Sequence, residues 1–271
     1  MILAGFLLLS VGAVDLVRQF APRRWIGYLA ALIVLLVLGS VSAAVLPMLA
    51  AIAVGAAWTW AMPADRDPRF GFWPAVVLAV ISALAVVWLG ERTDAGIIGR
   101  SWTLDSPFGP ISFDLALLVV GVVVFLLESG NLIVRAALSS EHSWRPDDVD
   151  DVRRAAPTGG TARDESARAG DASADPETVA DGVQLAAPSR GGFKGGRLIG
   201  PLERVIVFML TLTAAYPLLA ATLAAKGIVR FPEISKDGET GARAEYFLVG
   251  SLVSWVIALG AAFLVWWGVH S

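Results

Sequence analysis

WIGYLAALIVLLVLGSVSAAVLPMLAAIAVGAAWTWAM, residues 25 to 62, runs for 38 residues without a charged side chain. A helix that crosses a hydrocarbon core of about 30 Å needs about 20 apolar residues. The stretch is therefore too long for one crossing and just long enough for two that meet in a tight turn. Gly39-Ser40-Val41-Ser42 marks the turn, and Pro47 falls in the first turn of the second helix, where proline is tolerated. A chain with such a segment reads as a multi-pass membrane protein.

The same ruler extends outward in both directions. Upstream, Ile2 to Val14 is apolar and the first basic residue, Arg18, follows the run. A cleaved leader carries its basic residues in front, so an uncleaved span over 1–19 is expected. Downstream, Asp65-Arg66-Asp67-Pro68-Arg69 closes the third span, and Trp73 to Leu89 makes a fourth. Residues 91–112 hold Gly96, Gly99, Pro107, Gly109 and Pro110 and read as a loop dipping an aromatic edge into the interface. A fifth span covers 112–138, a sixth 198–225 with a kink at Pro217, and a seventh 245–267. The expected fold is an all-α integral membrane protein of about seven transmembrane helices. Its parts are an N-terminal membrane region of about five helices (1–138), a linker (139–196) and a C-terminal two-helix membrane region packing on helix five (197–271).

Composition supports this division. Hydrophobic residues make up 56% of the 271 and charged ones 17%, against about 25% charged in a typical soluble domain, and the mean hydropathy is +0.68. Residues 139–196 hold 11 acidic and 7 basic residues, a balance of −4, so the rest of the chain is +1 and the total −3. This acidic segment is rich in Ala, Gly, Pro, Asp and Arg, cannot bury enough apolar surface to offset ordering entropy, and reads as a disordered cytoplasmic linker. There is no Cys, which excludes disulfides, thiolate chemistry and Cys-ligated metal. The two histidines, His142 and His270, lie outside the apolar spans, so no metal site and no cofactor is expected. The scattered arginines give no nucleic-acid footprint.

Orientation follows from loop cations. Arg18, Arg23 and Arg24 in the first loop, Arg66 and Arg69 in the third and Arg135 and Arg197 around the linker set the cytoplasmic side. Seven spans then put the N-terminus outside and the C-terminus inside, with one exception: Lys226, Arg230, Lys236 and Arg243 would face outward.

Polar residues near the spans form stripes. Gly121, Glu128, Asn131 and Arg135 share a face of the fifth helix, and Arg204, Thr211, Ala215, Thr222 and Lys226 a face of the sixth, with Glu203 beside it. Tyr246, Gly250, Ser254 and Ala258 make a small-residue ladder on the seventh, which lets helices approach closely in lipid. Matching depths predict that Glu128 approaches Arg204 and that Glu245 approaches Lys226 or Arg230. The candidate polar network is thus Glu128, Asn131, Arg135, Glu203, Arg204, Lys226, Arg230, Glu245 and Tyr246. Three readings of it stand open: charges snorkelling at the headgroups, an ion-pair network inside the bundle, or a transport pathway. No catalytic residue is assigned, and the tryptophans near span ends read as interfacial anchors.

Four blocks carry a family resemblance: Gly130-Asn131-Leu132-Ile133-Val134-Arg135, Gly196 to Arg204 (GRLIGPLER), Ala224 to Phe231 (AAKGIVRF) and Glu245 to Leu252 (EYFLVGSL). Over about residues 128–260, interrupted by the linker, the chain resembles the C-terminal half of a bacterial multi-pass membrane family, a domain of unknown function. The family's first span carries a His and Asp pair followed by Gln; here Asp15 and Gln19 have counterparts and the His does not. Thr213-Ala214-Ala215-Tyr216-Pro217 replaces a Gln-containing stretch. The resemblance implies a shared fold and no catalytic role.

Three functions remain. The first is a non-enzymatic bundle in the bacterial cytoplasmic (inner) membrane that organises partners or lipid. The second is a carrier of a small solute or ion using charges between helices five, six and seven. The third, a membrane enzyme acting on headgroups through Glu203 or Glu128, lacks any accompanying motif, and the reading leans away from an enzyme. The expected partners are the lipid bilayer and a protein met through the linker or the bundle.

Overall fold

The turn inside the 38-residue uncharged stretch is built from alanine rather than from glycine. Ala43 adopts a left-handed backbone (φ 51°), its N–H bonds to Ser40 O at 3.3 Å, and the Ala44 N–H bonds to Gly39 O at 2.9 Å. This is a Schellman termination. It ends α2 (Arg24–Val41) and launches α3 (Val45–Ala61) three residues later. The expected pair of helices is present with these bounds.

The computed structural model describes residues 1–62, 70–89, 92, 96–106, 109–140, 196–234 and 242–270. The expected linker lies outside these residues from 141 to 195. Besides α2 and α3, the described elements are α1 (Ile2–Phe20), α4 (Trp73–Leu89), α5 (Gly96–Ser101), β1 (Asp105–Ser106), β2 (Gly109–Pro110), α6 (Phe113–Ser140), α7 (Gly196–Leu212), α8 (Tyr216–Ile234) and α9 (Ala242–His270). β1 and β2 form a two-residue antiparallel pair. With α5 they replace the plain loop expected over 91–112.

Four described helices are long and apolar enough to cross a membrane: Ile2–Phe20, Arg24–Val41, Phe113–Ser139 and Phe247–His270. Val45–Ala61, Trp73–Leu89 and Tyr216–Val229 are shorter apolar helices. The count of long spans is thus four, below the seven expected from sequence.

The sixth expected span is not continuous. Ala214 is left-handed (φ 53°), the Ala214 N–H bonds to Thr211 O at 3.1 Å and the Ala215 N–H to Leu210 O at 2.9 Å. This is the Schellman pattern of the first turn, repeated. It divides 198–225 into α7 and α8, so the described residues of the C-terminal region form three helices, not two. Pro217 sits in the first turn of α8, where it removes no needed donor, instead of kinking a through-going helix.

α1 and α6 form the centre. They run parallel, with Gly5 against Leu117 and Leu118 and Gly12 against Val124 and Phe125. A Cβ on Gly12 would lie 2.7 Å from the Phe125 nitrogen, and one on Gly121 would lie 2.5 Å from the Gly5 carbonyl oxygen. Glycine is required there because backbone meets backbone. Phe6, Leu7 and Val11 of α1 and Leu118, Val122 and Leu126 of α6 are buried around that seam. α3 lies beside α1, with Gly55 facing Ser10.

Contacts along α9 fix its direction. Gly250 faces Val134 and Leu138, while Gly268 faces Leu118, Val86 and Met1. α9 therefore runs antiparallel to α6, and Met1 and Gly268 share one end of the bundle. The expectation of opposite sides for the two termini does not hold. α7 is also antiparallel to α6, since Gly200 approaches Asn131 and Arg204 packs over Gly130. α8 then returns, because Lys226 Nζ lies 2.7 Å from the Glu203 carboxylate.

Candidate functional site

Asp15 is the most buried carboxylate among the described residues, at 1% exposure. It sits near the end of a largely apolar helix, one turn before Arg18. Its Oδ2 accepts from Trp58 Nε1 of α3 at 2.9 Å and from the Ser129 hydroxyl of α6 at 2.6 Å. Arg18 Nη1 stands 3.5 Å from Oδ1. The same guanidinium donates to Met62 O at 2.8 Å and to Thr59 O at 2.7 Å. It thereby satisfies carbonyls that the end of α3 leaves open. One acid and one base thus join α1, α3 and α6.

Arg204 organises a second cluster on α7. It is 2% exposed. Its Nε donates to Leu126 O at 3.0 Å and its Nη2 to Asn131 Oδ1 at 2.6 Å. Asn131 Nδ2 in turn donates to Glu128 Oε2 at 3.3 Å. Gly130 makes room, because a Cβ there would lie 2.6 Å from Arg204 Nε. Glu128, 5% exposed, lies within electrostatic reach of both Arg204 and Asp15. The two clusters are therefore neighbours on α6, joined at Glu128 and Ser129.

Glu203 points the other way, toward α8 and α9. It receives Lys226 Nζ at 2.7 Å and Trp255 Nε1 at 3.3 Å. The ammonium also stands 5.7 Å from the Trp255 ring centre and 5.8 Å from that of Phe247, within cation–π range. At the opposite end of the bundle, Arg92 clamps Asp114 with two bonds of 3.1 and 2.9 Å and donates to Ser42 O at 3.1 Å.

Of the residues singled out from sequence, Glu128, Asn131 and Arg204 meet between α6 and α7, and Glu203 and Lys226 meet between α7 and α8. Arg135 is exposed on α6 and Glu245 is exposed on α9. Lys226 takes Glu203 as its partner rather than the expected Glu245, because α8 folds back along α7. The side chains of Arg230 and Tyr246 lie outside the described residues. Sequence reasoning passed over Asp15, Arg18, Trp58 and Ser129 as a site. The available signal was a carboxylate inside the first apolar run, the kind of residue that needs a named partner in a membrane.

Among the described residues no three His, Asp or Glu side chains converge as metal ligands, and one buried side-chain polar atom, Ser82 Oγ, has no hydrogen-bond partner. Ser82 lies on the wall of an open groove of about 790 Å³ between α4 and α9, floored by Leu8, Val122 and Phe125. Apart from that hydroxyl its walls are apolar, with Val86, Val253 and Trp267 among them. The chain can thus close its polar groups on one another and present hydrocarbon on its flank. No protein-family model, no curated protein and no solved structure matches this chain.

Proposed function

We propose that this is a non-enzymatic, multi-pass protein of the bacterial cytoplasmic membrane that organises lipid by holding an acyl chain in the groove between α4 and α9. The groove carries the reading: it is walled by hydrocarbon and it opens on a flank where Val80, Val256 and Phe263 are exposed. Exposed apolar surface of that extent marks a membrane or interaction face. The shorter helices α3 and α4 are crossings in this reading, as α1, α2, α6 and α9 are. The segment from 139 to 196 serves as a cytoplasmic tether to a protein partner.

The carrier reading is less favoured, because Glu128 and Arg204 are buried and the Arg204 donors go to protein acceptors on α6. A solute pathway needs polar groups turned toward a water-filled cavity. The test is native mass spectrometry of the protein released from detergent, with Gly260→Phe as the comparison. Gly260 lines the groove and a Cβ there meets no atom within 4 Å, so a larger side chain can enter the groove from this position. Retained phospholipid that Gly260→Phe removes is the expected result. A wild-type protein that keeps no lipid, or a variant that keeps the same amount, overturns the proposal.

A further inference from the structure

We infer that α7 and α8 form a hairpin that enters the membrane from the linker side and leaves on that same side, so that both termini lie on the opposite face. The inference rests on the membrane reading above and goes beyond it by fixing the sidedness of each segment.

Three independent observations converge. First, Ala214 is left-handed and the carbonyls of Leu210 and Thr211 are capped by the turn, so α7 stops at Leu212 and cannot continue into α8. Second, α8 comes back level with α7: Lys226 reaches Glu203 at 2.7 Å, twelve residues after the turn begins to reverse at Ala214. At 1.5 Å per residue, the ten residues from Tyr216 to Lys226 rise about 15 Å, half of a hydrocarbon core of about 30 Å. Third, α9 begins where α6 finishes and ends where α1 starts, by the contacts of Gly250 with Leu138 and of Gly268 with Met1. A hairpin that returns to the linker side is what lets α9 start there.

The charge pattern agrees. A continuous sixth span puts Lys226, Arg230, Lys236 and Arg243 on the outer face. The hairpin returns all four to the side of the linker and of Arg23, Arg24, Arg66 and Arg69. Among the described residues, Arg92 is the cation at the outer end, and it is bonded to Asp114. The hairpin thereby accords with the Lys and Arg asymmetry that sets membrane orientation.

The hairpin also has its own fixings within the membrane. Arg204 ties α7 to α6, and the Lys226, Glu203 and Trp255 contacts tie α8 to α7 and α9. These charges lie at the depth of Glu128, where an isolated charge is costly, and each is held by a partner on the hairpin or beside it.

The chain has no cysteine, so single cysteines report sidedness without background. Arg23→Cys, Gly238→Cys and His270→Cys are each treated with a membrane-impermeant maleimide, in intact cells and in inverted inner-membrane vesicles. The hairpin predicts that positions 23 and 238 label in inverted vesicles and lose labelling in intact cells, with position 270 the reverse. Labelling of 238 from outside together with 270 from inside restores a continuous sixth span and overturns the hairpin while leaving the membrane reading intact. Extraction of the protein from membranes by alkaline carbonate overturns the membrane reading itself, and the hairpin with it.

Discussion

Among the described residues, two helical hairpins share the same turn and differ in their surroundings. In α2–α3 and in α7–α8 an alanine takes the left-handed position, two carbonyls of the preceding helix are capped, and a proline follows three or four residues later (Pro47, Pro217). The first hairpin carries no charge within its helices beyond Arg24 and is fastened from outside, by Asp15 and Arg18 of α1. The second carries Glu203, Arg204 and Lys226, which fasten it internally and to α6 and α9. The turn chemistry sets where a helix stops. What surrounds it decides how deep the hairpin reaches, because paired charges at mid-depth fix α7 and α8 against α6 and α9.

The largest expected effect comes from removing each fastening. Asp15→Ala leaves the Arg18 charge without its carboxylate and the Trp58 N–H and Ser129 hydroxyl without their acceptor, and Arg204→Ala leaves the Leu126 carbonyl and Asn131 Oδ1 without their donor. Breaking a buried charged partner costs about 3–5 kcal/mol. Both variants are expected to lower the unfolding midpoint in detergent by a corresponding amount, with different reach. Hydrogen exchange should rise through α1, α3 and α6 in Asp15→Ala, since three helices share that carboxylate. In Arg204→Ala it should rise in α7 and α8 while the α1–α6 seam stays protected. Equal loss of protection everywhere in both variants breaks the distinction between the hairpins.

A smaller contrast separates the two tryptophan donors. Trp58→Phe removes a 2.9 Å bond to a buried carboxylate, which is expected to cost about 1–3 kcal/mol. Trp255→Phe removes a 3.3 Å bond to Glu203, whose side chain is 22% exposed and keeps Lys226, so less than about 1 kcal/mol is expected. Chemical denaturation of the two variants under one detergent condition measures the difference. A larger loss in Trp255→Phe means the second hairpin depends on α9 more than on its internal pair.

How much of this was legible in the sequence differs between the hairpins for a physical reason. An uncharged run of 38 residues exceeds any single crossing, so length alone demands a turn between residues 25 and 62. Val205 to Ala225 is close to one crossing, so length allows a straight helix and hides the turn at Ala214. Alanine gives no warning of a left-handed residue, as glycine would. The polar stripes of α6 and α7 were readable from helical periodicity, and they do bring Glu128, Asn131 and Arg204 together. The partner of Lys226 was not readable, because it depends on α8 reversing. Asp15 was visible as a carboxylate in an apolar helix, but its partners come from residues 58 and 129, and no local pattern connects those positions.

The smallest effect tests whether the two turns are equivalent. A left-handed conformation costs an L-residue about 1–2 kcal/mol, and glycine relieves that strain at an unfolded-chain entropy cost of roughly 0.4–1 kcal/mol. Ala43→Gly and Ala214→Gly should therefore each stabilise the protein by about 0.5 kcal/mol, read as a small rise in thermal midpoint. The two gains should add in the double variant, since the turns sit in separate hairpins and share no partner. A gain at Ala43 with none at Ala214 means that α7 and α8 are held by the Arg204 and Glu203 contacts so firmly that strain at their turn does not limit stability. A gain at Ala214 with none at Ala43 assigns that role to Asp15 and Arg18 in the first hairpin. Either asymmetry ranks the fastenings of the two hairpins, which the larger substitutions measure only one at a time.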